Sequence, residues 1–222
     1  MPANRPRVRI DFVSDVVCPW CAVGLRSLET ALERLEDLIE VELFIQPFEL
    51  NPAMPPEGQD IVEHLSQKYG STPQQIAANG EAIRVRGAEL GFTFRMDRRA
   101  RTYNTFDAHR LLHWAQDMGK AITLKHALLE AYFSHGEDVS DHAVLARLAM
   151  EAGLPREEAE AILAGDRFAE DVRVQERHFT DLGIHAVPSV ILNRRHLIQG
   201  GQPPEVFEQV LRRLAEAGEP VA

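Results

Sequence analysis

Cysteine is scarce in this chain. Its 222 residues hold two, Cys18 and Cys21, both within the stretch "DVVCPWCAVG". A four-cysteine zinc site is therefore excluded, and histidine would have to complete any metal site built on the pair. His109 and His113 stand four apart, but Arg110 occupies the place of the glutamate in an H-E-x-x-H motif. Positive charge is also short: 24 Lys and Arg against 34 Asp and Glu leave a net charge of −10. That balance argues against nucleic acid as a partner, because a phosphate-tracking surface needs a dense basic stripe. Long apolar runs are missing, and no stretch approaches the ~18 residues of a membrane span. "MPANRPRVRIDFVSD" carries no apolar run of signal-peptide length ahead of the first strand-like segment. The expectation is a cytoplasmic protein with no membrane partner. Thiols stay reduced in that compartment, so a cysteine pair there is catalytic or metal-binding rather than a structural staple. The patterns G-x-S-x-G, G-x-G-x-x-G and the P-loop do not occur, which removes the usual signals of serine hydrolases and nucleotide-binding enzymes.

What is present is an ordinary globular composition, 45% hydrophobic and 26% charged. The length fits one domain, or one domain carrying a large insertion. "RVRIDFV" alternates, with Val8, Ile10 and Phe12 on one face, and reads as a strand. Leu25, Leu28, Leu32 and Leu35 recur at helical spacing, so a helix is expected from Pro19 to about Asp37. "VELFIQPF" is a second strand, closed by Pro47. A helix between two strands suggests a parallel crossover. The strand signal then nearly vanishes for over a hundred residues. Consecutive short helices take its place, stopped by Gly70, Gly91, Gly119, Gly136, Gly153 and Gly183. It returns in "VPSVILN" and "RHLIQG", a hairpin turning at Asn193 and Arg194, before a last helix opened by Pro203 and Pro204. The outline is β-α-β, a helical block, then β-β-α. The fold class expected is α/β: one mixed sheet with helices on its faces, built from 1–56 and 184–222, with 57–183 as an all-helical insertion.

Two cysteines in 222 residues fall three apart by chance in roughly one case in a hundred. Two small buried residues and half a zinc site remain as alternatives to a redox pair. The redox reading has a mechanism. A strand delivers Cys18 to the start of a helix, where unpaired N–H groups and the helix dipole stabilise a thiolate. Cys21 lies one turn later, within reach of a disulfide. Cys18 is then the exposed sulfur that exchanges with a partner, and Cys21 the buried one that resolves the mixed disulfide. Pro19 suits the first helical turn, and Trp20 shapes the surface beside the sulfurs.

"CPWC" after a first strand, with "VPS" opening a later one, resembles the thioredoxin superfamily, and the long helical insertion resembles its DsbA-like branch. More narrowly, "DVVCPWCAVG", "NTFDAHRLLHWA" and "AVPSVILNRRHLIQGGQPPEVF" are similar to FrnE-type oxidoreductases of that branch. The resemblance implies a thioredoxin-like mixed sheet and dithiol–disulfide exchange with a protein or small-molecule thiol partner. It implies no tightly bound cofactor beyond a redox-active Cys18–Cys21 disulfide. It also implies a cis peptide bond between Val187 and Pro188, with Pro188 beside the disulfide and the Val187 backbone pairing with an extended substrate. By the same analogy Gly201 and Gln202 would line a thiol-ligand cleft, although a plain turn before the last helix is the stronger explanation of them. Branch relatives are often homodimers. Kappa-class glutathione transferases and 2-hydroxychromene-2-carboxylate isomerases share the resemblance. They carry serine where Cys18 stands and use glutathione, so glutathione stays open as a co-substrate. A glutathione-dependent isomerase or transferase, acting on a small aromatic or electrophilic substrate, stays open as an alternative, and so does a chaperone-like binding module.

Two further features are less specific. Arg95, Arg98, Arg99 and Arg101 crowd one loop, which reads as solvated unless it holds an anion. Asn104 caps the next helix or faces the cleft. The remaining histidines read as surface or core residues, and no metal ligand set is expected.

Overall fold

The computed structural model describes residues 5–217. Strand β1 (Arg7–Ser14) leads into helix α1 (Pro19–Glu33) and strand β2 (Glu40–Pro47). A short strand β3 (Gln59–Asp60) precedes α2 (Ile61–Tyr69) and α3 (Pro73–Glu89), and β4 (Arg101–Thr102) precedes α4 (Phe106–Asp117). Helix α5 (Ala121–Glu130) runs into a π-helical turn (Ala131–His135), followed by α6 (His142–Glu151), α7 (Arg156–Ala164) and α8 (Ala169–Asp181). Strands β5 (Ser189–Leu192) and β6 (His196–Gln199) and helix α9 (Pro204–Ala217) complete the described residues.

The main sheet has the order β2-β1-β5-β6. β1 and β2 are parallel, joined by α1 as the crossover, and β5 is antiparallel to both β1 and β6. Both ends of the chain thus build one mixed α/β sheet. The β5–β6 turn has positive φ at Asn193 (48°) and Arg194 (56°), the backbone hand of a tight hairpin. Asn193 also fixes the hairpin to β1, since its side-chain oxygen accepts from the Arg9 N–H at 3.0 Å.

Val8, Ile10 and Phe12 point into the main core, where Phe12 and Ile10 are fully buried. Burial of each such side chain is worth about 1.5–3 kcal/mol. That core is continuous with Leu111, Leu124, Leu128 and Phe133 of the helical block. The other face of the sheet carries a smaller cluster of Val13, Phe179, Ile184 and Ile191, against which Val187 packs.

Three local details depart from expectation. α1 ends at Glu33, with Leu35 buried in the turns that follow. The helical block contains a two-stranded ribbon, β3 with β4, too short to show any alternation in sequence. The chain from Ala121 to Gly136 is also not one uniform helix. Its π-helical last turn brings Tyr132 and Phe133 fully inside.

Candidate active site

The geometry of the pair begins with the exit of β1. Cys18 is the N-cap of α1, with φ −90° and ψ 114°, and Pro19 opens the first turn. No side chain caps this helix and no acidic residue lies in its first turn, so the helix N-terminus is left to the sulfur. Both cysteines are free thiols. Cys21 is fully buried, and Cys18 keeps only 5% of its surface exposed, less than its place at the head of a helix suggests. Their proton affinities diverge. The Cys21 thiol hydrogen-bonds to the Cys18 sulfur and the Cys21 and Trp20 N–H groups support it. Together they outweigh burial and the charge of Asp15, so Cys18 is held below the ordinary thiol value. Burial first, then donation to Cys18, pushes Cys21 well above it.

The second wall comes from the far end of the sequence. The Val187–Pro188 peptide bond is cis. The Val187 carbonyl lies 3.7 Å from the Cys18 sulfur. Pro188 seats on α1 at Gly24, where an added Cβ would stand 2.9 Å from the proline ring. Gly201 packs on Trp20 in the same way, with a Cβ position only 3.1 Å from the indole ring and 3.2 Å from the Trp20 carbonyl. Trp20 itself remains 42% exposed beside the pair. Pro19, Trp20, Val187, Pro188 and Gly201 are therefore brought together. Gln202 is turned away into its own turn, its side-chain amide donating to the Gln199 carbonyl at 2.8 Å. Asn104 is engaged with the chain: its oxygen accepts from the Phe106 N–H at 2.9 Å, and its amide reaches the Met54 carbonyl.

The helical block supplies a rim that sequence reasoning missed. Arg99 is not a solvated loop residue. Its guanidinium donates to the Val17 carbonyl at 3.3 Å and to the Tyr132 hydroxyl at 3.0 Å, which ties the arginine loop to the residue before Cys18. Tyr69, at the end of α2, is 59% exposed. Its phenol is pushed up by burial and by the facing charge of Cys18.

Three ionisable side chains form the floor. Asp15 is fully buried, and one of its oxygens accepts from the Leu50 N–H at 2.8 Å. The other lies 3.4 Å from Nε2 of His109, which is also buried, and the two atoms make no directed hydrogen bond. Burial raises the Asp15 carboxyl, but His109, the Leu50 N–H and Lys125 together hold it below the usual range. Lys125 of α5 is fully buried, and desolvation lowers its pKa against the charges of Cys21, Asp15 and Cys18. Sequence signals for two of these exist in hindsight. Lys125 follows Ala121 by four and precedes Leu128 by three, on the apolar side of its helix, and His109 shares a face with Leu112. Among the described residues, no cluster of three or more His, Cys, Asp or Glu could hold a metal ion.

Comparison with known proteins identifies the family. A probable DsbA oxidoreductase from Streptomyces coelicolor is 35% identical, with a TM-score of 0.88 over 96% of this chain and 91% of its own. The Bacillus subtilis protein YwbO is 27% identical over 205 residues, 92% of this chain and 96% of YwbO. The cytosolic disulfide reductase DsbM from Pseudomonas aeruginosa, in a structure with GSH, shares the fold, at 17% identity and a TM-score of 0.64 over 94% and 99% of the two chains. The family model of the DSBA-like thioredoxin domain matches residues 9–212. With the match spanning nearly the whole chain, this protein belongs to the DsbA-like thioredoxin family.

Proposed function

We propose that this protein is a dithiol–disulfide oxidoreductase working through its Cys-Pro-Trp-Cys site. The observation that carries the reading is the unequal pair: one thiol at a helix N-terminus with its proton affinity lowered, the other buried one turn on with its affinity raised. The Cys18 thiolate attacks a substrate disulfide and forms a mixed disulfide, releasing one substrate thiolate. Cys21 then gives up its proton and attacks the Cys18 sulfur. The second substrate thiolate leaves, and a Cys18–Cys21 disulfide remains. The protein is oxidised by two electrons and the substrate is reduced by two; run backward, the same steps oxidise a dithiol.

Trp20, Val187 and Pro188 hold the substrate beside the sulfurs, with the Val187 backbone offered for strand addition. In this reading residues 57–183 are a helical insertion on the 1–56 and 184–222 frame, and they furnish Arg99 and Tyr69 as the opposite lip. A cationic group beside the exchanging sulfur complements the carboxylates of glutathione. DsbM, with GSH in its structure, supports glutathione as a small co-substrate here. A cytoplasmic setting fits both.

The test is trapping. With Cys21→Ser, incubation with a model disulfide or cell lysate should leave a reducible mixed disulfide on Cys18. If no adduct forms, and Cys18 alkylates no faster than an ordinary cysteine at neutral pH, the reading fails.

A further inference from the structure

A disulfide must approach the Cys18 sulfur along the axis of the bond that breaks, so exchange depends on access as well as on the thiolate. Only 5% of Cys18 is exposed. Part of the mouth therefore has to move before the sulfur can react with anything bulky.

Most of the mouth is fixed in place. Pro188 is seated on Gly24 and Trp20 on Gly201, with Cβ positions only 2.9 Å and 3.1 Å from the facing rings. Arg99 is bonded to the hydroxyl of Tyr132, a fully buried side chain. Helix α2 is different. Of its nine residues only Ile61, at the first position, is buried. Among the described residues, no α2 side chain joins either apolar core cluster. Hydrogen bonds at its two ends hold it instead. The Ile61 N–H donates to the Ala100 carbonyl at 3.0 Å, beside Arg99, which in turn donates to the Val17 carbonyl. At the other end the Lys68 ammonium donates to the Leu50 carbonyl and to Oδ1 of Asn51, both at 2.7 Å. The Leu50 N–H donates to Asp15 at 2.8 Å. α2 is thus strung between partners of Val17 and of Asp15, in the segment that leads into Cys18, and Tyr69 at its end faces the sulfur.

The two ends are not equally secure. At the first, Asp60 caps the helix, and the pairing of β3 with β4 adds to the Ile61 bond. At the Tyr69 end the tie is Lys68, and the turn beyond it is open. Gly70 has φ 67°, and nothing lies within 4 Å of its Cβ position. α3 regains a firm seat only at Ile83 and Gly87, the latter pressed on Phe94. A hairpin anchored at its base with so little apolar burial toward its tip opens more readily than the fold around it.

We propose that α2 is a gate over Cys18, that Lys68 is its latch, and that the latch decides how large a disulfide the protein accepts. This rests on the exchange chemistry proposed above. With the latch made, Cys18 meets small disulfides. When Lys68 lets go, the Tyr69 end swings about Ile61 and a polypeptide disulfide gains the sulfur. One ammonium donating to two uncharged acceptors is a modest tie, so the open form stays within thermal reach. Lys68 is a positioning residue, acting on specificity through α2.

The experiment uses the reduced full chain in a stopped-flow instrument, with two pyridyl disulfides that share a leaving group. One is dipyridyl disulfide. The other is the pyridyl mixed disulfide of a peptide whose cysteine lies in mid-chain. Attack by Cys18 releases pyridinethione, and this first exchange phase is compared between the two. In Lys68→Met the peptide should react at least about fivefold faster, with dipyridyl disulfide within about twofold of wild type. Asn51→Asp gives the latch a charged acceptor and should do the reverse, slowing the peptide by about threefold while sparing the small reagent. Opposite signs in the two variants separate a gate from general loosening of the mouth. Equal effects on both reagents in Lys68→Met, no acceleration of the peptide there, or a peptide rate at or above wild type in Asn51→Asp each overturn the proposal. Should dipyridyl disulfide fail to react with Cys18 in the wild-type protein, the exchange chemistry itself fails instead.

Discussion

The two sides of the cysteine pair are built from different materials. The mouth consists mainly of backbone and uncharged surface, with Arg99 on its opposite lip: the head of α1, the Val187 carbonyl, the Pro188 ring, and two glycines that let Trp20 and Pro188 come close. The floor consists of ionisable side chains with almost no solvent, Asp15, His109 and Lys125. Backbone at the α1 and Pro188 wall fixes position, and charge at the mouth is confined to the Arg99 lip. Charge at the floor cannot contact a substrate, so it acts only on the sulfurs. The pair sits between a surface suited to docking and an interior suited to titration, and Cys18 and Cys21 differ because each faces one of them.

The largest effect expected at the mouth is chemical. Cys18→Ser should lose disulfide exchange by at least about a thousandfold, because the hydroxyl is a far weaker nucleophile at neutral pH. The measurement is insulin or glutathione-linked disulfide turnover, and a residual rate near wild type would shift the chemistry to Cys21. The next is steric. Gly24→Val places a branched side chain where even a Cβ would be 2.9 Å from the Pro188 ring. Overpacking there should lower stability by about 1–3 kcal/mol in urea unfolding and slow the first exchange phase, as α1 and the Pro188 segment move apart. Unchanged exchange kinetics would mean that the mouth tolerates looser seating than its geometry implies.

The mouth was the part legible in sequence, and the floor was not. "CPWC" and "VPS" are short motifs: spacing alone exposed the cysteine pair, and the family resemblance pointed to Val187 and Pro188. The same holds for most of the fold: α2 starts at an Asp60 cap, α3 at a Thr72 capping box, and each stops near a glycine with positive φ. Asp15, His109 and Lys125 are separated by 94 and 16 residues, and nothing local joins them; only the packing of α4 and α5 against the exit of β1 does. Arg99 failed for a related reason. Four arginines in a row of loop residues read as solvated, and which one turns inward depends on the π-helical turn that places Tyr132. The β3–β4 ribbon was invisible because two-residue strands carry no period.

At the floor the expected effects are smaller, and their signs are diagnostic. Lys125→Met should raise stability by about 1 kcal/mol or more near neutral pH, since a buried amine without a hydrogen-bond partner is exchanged for an apolar chain of similar length. The gain should depend on pH. Burial depresses the Lys125 pKa in the folded state below its ordinary 10.5. Between those two values the unfolded chain binds more protons, so Lys125 makes the wild-type protein more stable as pH rises, and the variant's advantage should narrow toward pH 10. Urea midpoints measured from pH 7 to pH 10 check this, and a constant difference would place Lys125 in a solvated site.

Asp15→Asn gives the smallest and most pointed effect. The Asp15 charge raises the Cys18 pKa, opposing the Cys21 thiol and the N–H groups that lower it. Its neutral amide analogue keeps the shape and removes the opposition. The Cys18 thiolate fraction below neutrality should then increase, and iodoacetamide alkylation at pH 6 should quicken by roughly twofold. A further consequence separates this from simple loosening of the fold. Asp15 is itself held below its ordinary 3.8, so its contribution to stability is present above that pH and lost as pH falls through the folded value. The variant should therefore show a flatter acid limb in its stability profile. Faster alkylation of Cys18 together with a flatter acid limb is the outcome that a buried charge beneath the sulfur predicts, and a lower stability at every pH with no change in alkylation would assign Asp15 to packing.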